Sequence, residues 1–120
     1  MKVVITGSRG WTDKQAIFRR LVELPDGTTV IAGGARGADT IAAEACEAYN
    51  HLTLQVFPAD WEKYGKRAGF IRNAQMLDEQ PDLVLAFWDG ESKGTLGCMK
   101  EAQRRGIPVE VIRERPETGA

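Results

Sequence analysis

Short β-branched or apolar runs alternate along this chain with longer segments whose apolar residues return at helical spacing. Lys2 to Thr6, Thr28 to Ala32, Leu52 to Phe57, Leu83 to Phe87 and Val109 to Ile112 read as strands. Most are almost continuously apolar, the pattern of parallel strands covered on both faces. In the first intervening segment Ile17, Leu21 and Leu24 recur at i, i+4, i+7, and Thr12-x-x-Gln15 supplies a capping-box pattern just upstream. Pro25-Asp26-Gly27 ends that helix. A second helix is predicted from about Ala38 to Tyr49, with Ile41, Ala42, Ala45 and Tyr49 on one face. A third runs from about Lys66 to Glu79, with Phe70, Ala74 and Leu77 inward and Pro81 beyond its end. The fourth, from about Thr95 to Arg105, turns Leu96, Met99 and Ala102 inward and is closed by Gly106, with Pro108 following.

Strand and helix thus alternate as βαβαβαβαβ. Connection rules turn that order into an α/β fold: one open, parallel, five-stranded sheet with helices on both faces and right-handed crossovers. The expected strand order is 3-2-1-4-5, with a single domain over residues 1–113 and a polar tail over 114–120. Ligands of such sheets bind beyond the carboxyl ends of the strands, where the strand order reverses. Chemistry should therefore gather in the loops after strands, and the loops before strands should be bland.

The loops obey this asymmetry. Those before strands, such as Leu24-Pro25-Asp26-Gly27 and Gln80-Pro81-Asp82, carry ordinary turn residues. Those after strands are Gly7-Ser8-Arg9-Gly10-Trp11, Gly33-Gly34-Ala35-Arg36-Gly37-Ala38-Asp39, Pro58 through Gly65, and Asp89-Gly90-Glu91-Ser92-Lys93-Gly94-Thr95. They hold or adjoin Trp11, Trp61 and Trp88, together with Arg9, Arg36, Lys63 and Lys93. Gly33, Gly34 and Gly37 would let backbone N–H groups converge on an anion at a helix N-terminus. The same spacing also serves a tight turn that packs helix on strand. Arg36 adds a forked donor suited to phosphate or carboxylate. Ser92 to Thr95, and Gly7-Ser8-Arg9, offer further amides, hydroxyls and cations around one crevice. Thr95 could equally serve as an N-cap. Trp61 and Tyr64 beside Lys63 could stack on a base or pack together as a lid. Arg72-Asn73, in the third helix, adjoins its inward face. His51 precedes a strand and cannot join a nucleophilic triad at the crevice. No His/Cys/carboxylate cluster suggests a metal, and no cofactor is expected.

Composition narrows the class without naming the ligand. The chain has 120 residues, 42% hydrophobic and 28% charged, which is an ordinary globular balance. No apolar run nears the roughly 20 residues of a membrane span, and Met1 to Ile5 is too short for a signal peptide. Cys46 and Cys98 lack metal-ligand spacing, so reduced thiols and a cytoplasmic location are expected. Sixteen basic residues face 17 acidic ones, a net charge of −1. Duplex nucleic acid is therefore an improbable partner.

The loop motifs, taken in register, resemble the SLOG superfamily of Rossmann-like proteins, and within it the YspA (YpsA-related) SLOG family. They are Gly7-Ser8-Arg9, Gly33 through Asp39, Pro58-Ala59-Asp60-Trp61 with Tyr64-Gly65, Gly69 through Asn73, Pro81 through Phe87, and Lys93-Gly94-Thr95. The glycine-rich segment and Arg72-Asn73 are similar to the core of the DNA-processing protein DprA, which binds single-stranded DNA. The Gly94-Thr95 turn resembles that of the LOG phosphoribohydrolases. This chain has Leu96-Gly97-Cys98 where their catalytic glutamate would stand, and Glu101 lies a further turn along. The resemblance implies binding of a nucleotide or nucleotide-derived small molecule by a sensor or effector. If the chain is an enzyme, it implies a nucleoside 5'-monophosphate hydrolase in which Asp39 or Asp89 replaces the glutamate. Single-stranded nucleic-acid binding is a third reading, and relatives make a homo-oligomer a further expectation. The expected ligand residues are Gly7, Ser8, Arg9, Gly33, Gly34, Arg36, Gly37, Asp39, Trp61, Arg72, Asn73, Asp89, Gly90, Lys93, Gly94 and Thr95.

Overall fold

The strands form one parallel sheet in the order β3-β2-β1-β4-β5. They are β1 (Lys2–Gly7), β2 (Thr28–Ala32), β3 (Leu52–Val56), β4 (Leu83–Trp88) and β5 (Val109–Arg113). The computed structural model describes residues 1–113; the expected tail, 114–120, lies outside the described residues. Central β1 is registered against both neighbours, with Val4 opposite Ile31 on one side and Val84 on the other. Strand order reverses between β1 and β4, as the sequence reading expects.

The helices are α1 (Lys14–Val22), α2 (Ala38–Ala48), the single turn α3 (Trp61–Tyr64), α4 (Ala68–Leu77) and α5 (Lys93–Arg104). A short 3₁₀ turn, Gly65–Arg67, joins α3 to α4. Alternating strand residues feed two cores. Val3, Ile5, Val30, Ala32, Leu85 and Phe87 pack with Ile17 and Leu21 of α1 and Ile41, Ala42 and Ala45 of α2. Val4, Ile31 and Val84 pack on the other face with Met76 and Leu77 of α4 and Ala102 of α5. Burying a side chain of this size contributes about 1.5–3 kcal/mol, and Phe87 and Ile5 at the sheet centre are fully buried.

Several local expectations change. The cap of α1 is Asp13, whose carboxylate accepts from Ala16 N–H at 3.2 Å, in place of Thr12. Leu24 lies past the end of α1 but is buried in its core. α5 starts two residues earlier than its apolar pattern indicates, because Ser92 caps it by accepting from Thr95 N–H. Its buried face is Thr95, Cys98, Met99 and Ala102, leaving Leu96 only half-buried. On α4 the buried residues are Ala68, Met76 and Leu77, while Phe70 is 63% exposed. The helix is rotated so that Arg72 and Asn73, along with Phe70, border a cavity. Trp11 belongs to the core instead of the ligand rim: its ring packs edge-on against Phe87 and its indole N–H donates to Asp13 O. Among the described residues, no helix is long and apolar enough to cross a membrane.

Candidate functional site

A cavity of about 400 Å³ opens at the strand exits, between the loops after β1 and β4 and the inner side of α4. Small-molecule sites span roughly 300–1,000 Å³. Of the residues singled out from the sequence, Gly7, Arg9, Asp39, Trp61, Arg72, Asn73, Asp89, Gly94 and Thr95 line it. Gly33, Gly34 and Arg36 line a neighbouring hollow of about 300 Å³ that shares Arg9, Ala35, Trp61 and Arg72 with the first. Ser8, Gly37, Gly90 and Lys93 line neither.

Ser8 and Gly37 hold the rim together. Ser8 is buried, and its amide donates to Phe87 O at 3.0 Å. Its carbonyl accepts from Trp11 N–H at 3.2 Å and Ala38 N–H at 3.3 Å, and its hydroxyl accepts from Asp89 N–H at 3.1 Å. One residue thus joins the loops after β1, β2 and β4. Gly37 caps α2 at φ 75° and presses on the Ser8 and Arg9 carbonyls, where a Cβ could not be placed. Gly90, at φ 88°, lies under the Arg113 guanidinium, which also covers the Trp88 ring. Lys93 begins α5 and points its charge into solvent.

The glycine turn after β2 is already occupied by the protein's own anion. Asp39 Oδ2 accepts from Ala35 N–H at 3.1 Å, and the Gly33 amide also stabilises its charge. The Ala38 amide goes to Ser8. Asp39 is only 7% exposed, and its Oδ1 is buried with no hydrogen-bond partner. Burial pushes its carboxyl up to about 6, against the opposing pull of these amides and of Arg72. Arg72 does not pair with it directly: Nη1 donates to Gly33 O at 2.7 Å and Nε to Asn73 Oδ1 at 2.9 Å. Glycine at 33 leaves room for that guanidinium, which any side chain there would push aside.

The other carboxylates are committed elsewhere. Asp89 Oδ1 accepts from the Glu91 and Ser92 amides, both at 2.8 Å, which holds its carboxyl below the usual range. Glu101 pairs with Arg104 and Arg105 on the outer side of α5, and those bonds hold it down at about 2. Burial pushes the Cys98 thiol up to about 11. Among the described residues, no group of three or more His, Cys, Asp or Glu gathers in a way that could hold a metal.

Lys66 and Met76, which sequence reasoning did not single out, and Phe70, which it assigned to the core, also line the cavity, as does Ser92 of the turn after β4. The exposed aromatic Phe70, one residue from a motif glycine and two from Arg72, was the available signal. Trp61 and Phe70 are 51% and 63% exposed beside the opening, with the Trp61 ring 3.7 Å from where a Cβ on Gly69 would lie.

Residues 1–64 match the family described as YspA, cpYpsA-related SLOG family. The Gene 61 protein of Mycobacterium phage D29 is 43% identical to this chain over 124 residues, an alignment spanning 96% of this chain and 98% of the phage protein.

Proposed function

Because the chain belongs to the YspA, cpYpsA-related SLOG family, we propose that it binds a nucleotide or nucleotide-derived small ligand at its strand-exit cavity, as a sensor or effector. The observation that carries this reading is the joint placement of Trp61 and Phe70 with Arg9 and Lys66 around one opening of suitable volume. A planar base needs an aromatic face, worth about 1–3 kcal/mol per stacked base. A phosphate needs cations with donors free to reach it. Gly94 and Thr95 bring the N-terminal turn of α5 to the same wall, where the helix dipole favours negative charge. Cys46 and Cys98, both buried as free thiols, suit a reducing cytoplasm.

Calorimetric titration with nucleoside mono- and diphosphates and with ADP-ribose tests the reading. At least one should bind, and Trp61→Ala should weaken it about tenfold or more. No binding across the panel at millimolar concentration refutes the proposal.

The hydrolase reading rests on Asp39, a cavity carboxyl whose Oδ2 is held by the glycine turn but whose Oδ1 has no partner, and which can hold a proton near pH 6. Release of free base from a nucleoside monophosphate, lost in Asp39→Asn, would establish it. No turnover across a purine and pyrimidine panel removes it.

A further inference from the structure

We propose that the inner end of the cavity recognises a hydrogen-bond donor of the ligand, a sugar hydroxyl or a base amine, through the Asp39 carboxylate, leaving phosphate at the outer rim with Arg9 and Lys66. The inference rests on the nucleotide reading above and assigns that ligand its orientation.

The lining is graded from outside to inside. Arg9, Lys66, Trp61 and Phe70 are exposed, whereas Thr6, Asp39, Thr95 and Met76 are buried. Cations and aromatic faces therefore meet solvent, and the floor offers hydroxyls, a thioether and one carboxylate. The glycine turn is the obvious place for phosphate, but its Ala35 and Gly33 amides are turned toward Asp39. A phosphate brought there would lose those donors and meet a like charge in a poorly solvated place. A hydroxyl or amine meets the reverse situation. Asp39 Oδ1 is a buried acceptor with no donor, and leaving such an atom unpaired is costly. A charged acceptor bound to one good donor is the stronger class of hydrogen bond.

The groups that face Asp39 from neighbouring elements are engaged elsewhere, stay neutral or lie at the opening. From α4, Arg72 is engaged by Gly33 O and Asn73. From α5, the Cys98 thiol stays neutral, with burial holding it at about 11. From the loop after β4, Asp89 is an anion held in its own turn. Arg9, after β1, and Lys66, before α4, are exposed at the opening. Asp39 lines the cavity, and a small turn of its carboxylate would bring the unpartnered oxygen to a ligand donor, which would favour the ionised carboxyl. Since burial places that group at about 6 in the free protein, binding at pH 6 must expel part of a proton and must tighten as pH rises through that value.

The test is calorimetry on wild type and Asp39→Asn with AMP, purine riboside 5'-monophosphate, 2',3'-dideoxyadenosine 5'-monophosphate and inorganic phosphate. In the variant the amide oxygen can keep the Ala35 bond, which turns an NH₂ toward the ligand. AMP should then bind about tenfold or more weaker. With wild type, one of the two donor-deleted analogues should lose a similar factor, the purine riboside if the donor is the amine and the dideoxy compound if it is a hydroxyl. Buffers of different ionisation enthalpy at pH 6 should show a proton release that Asp39→Asn lacks. The phosphate's own ionisation near pH 6 contributes to both proteins, so the excess release by wild type is the readout, and the two donor-deleted analogues test the inference on wild type even if the variant folds poorly. Inorganic phosphate should bind both proteins alike; equal or tighter binding of AMP by the variant overturns the inference, as does phosphate binding tightened about tenfold by the variant or full affinity for both analogues. If AMP binds and Asp39→Asn changes nothing, only this inference falls; if no probe binds wild type, the nucleotide reading falls with it.

Discussion

Replacing Gly37 by alanine isolates what holds the loops after β1 and β2 in contact. Gly37 sits at φ 75°, ψ −123°, and Gly65, which closes α3, at φ 57°, ψ −133°. Both occupy a positive-φ, extended region that costs a residue with a side chain about 1–3 kcal/mol. Their surroundings differ. A Cβ at position 65 meets nothing within 4 Å, whereas one at position 37 lands on the Ser8 and Arg9 carbonyls. Those are backbone atoms and cannot swing aside, so overpacking adds about 1–3 kcal/mol at position 37 alone. Gly37→Ala should therefore lose about 2–6 kcal/mol and Gly65→Ala about 1–3 kcal/mol. Urea denaturation measures both, with the midpoint moving and the slope unchanged. The displaced Ser8–Arg9 segment borders the cavity, so nucleotide affinity should fall in Gly37→Ala as well. Equal losses within about 0.5 kcal/mol would show that the loop contact carries no energy.

Asp39 should leave a pH signature on stability. Its carboxyl is raised from 3.8 to about 6 in the folded protein, so its stabilising contribution is complete below pH 3.8 and is lost as pH rises through 6. Asp39→Asn should gain on wild type by up to roughly 3 kcal/mol between about pH 4 and pH 7; urea midpoints with a pH-independent offset would refute this. On α4, Met76→Ala should cost about 2–5 kcal/mol and Phe70→Ala no more than about 0.5 kcal/mol, a contrast that thermal melting reads directly. Cys46 and Cys98 are buried, with both thiols pushed up to about 11. A thiol reagent at neutral pH should label neither until denaturant is added, and rapid native labelling would contradict their placement.

Sheet topology was readable because β1, β2 and β4 are apolar through both faces and because the loops differ so clearly at the two ends. Helix phase was less readable. Phe70, Ala74 and Leu77 fit an i, i+4, i+7 stripe, yet the buried stripe runs through Ala68, Met76 and Leu77. An aromatic beside a ligand cavity and an aromatic in a core have the same periodicity, and Arg72 occupied a position that hydropathy assigns to solvent. The N-cap error at α1 has a similar origin: Thr12 and Asp13 are adjacent residues with capping side chains, and only the Asp13–Ala16 bond separates them. At the site, the glycine turn suggested an empty anion cradle. No spacing rule reveals that Asp39, four residues after Ala35, folds back onto its amide. Likewise Arg72 could be placed near the crevice, but its bond to Gly33 O joins residues 39 positions apart.

Ser8 bonds to the turns after three strands, while the segment bearing Trp61 is capped by its own Asp60, which accepts from Lys63 N–H and Tyr64 N–H. The mouth is therefore built as a braced frame plus a separate leaf. Substitutions on the frame propagate to every part of it, whereas the leaf can vary in length and residue type with little strain elsewhere. Diversification of ligand choice among descendants of this scaffold should accordingly accumulate between Pro58 and Arg67, leaving the serine-braced frame nearly unaltered.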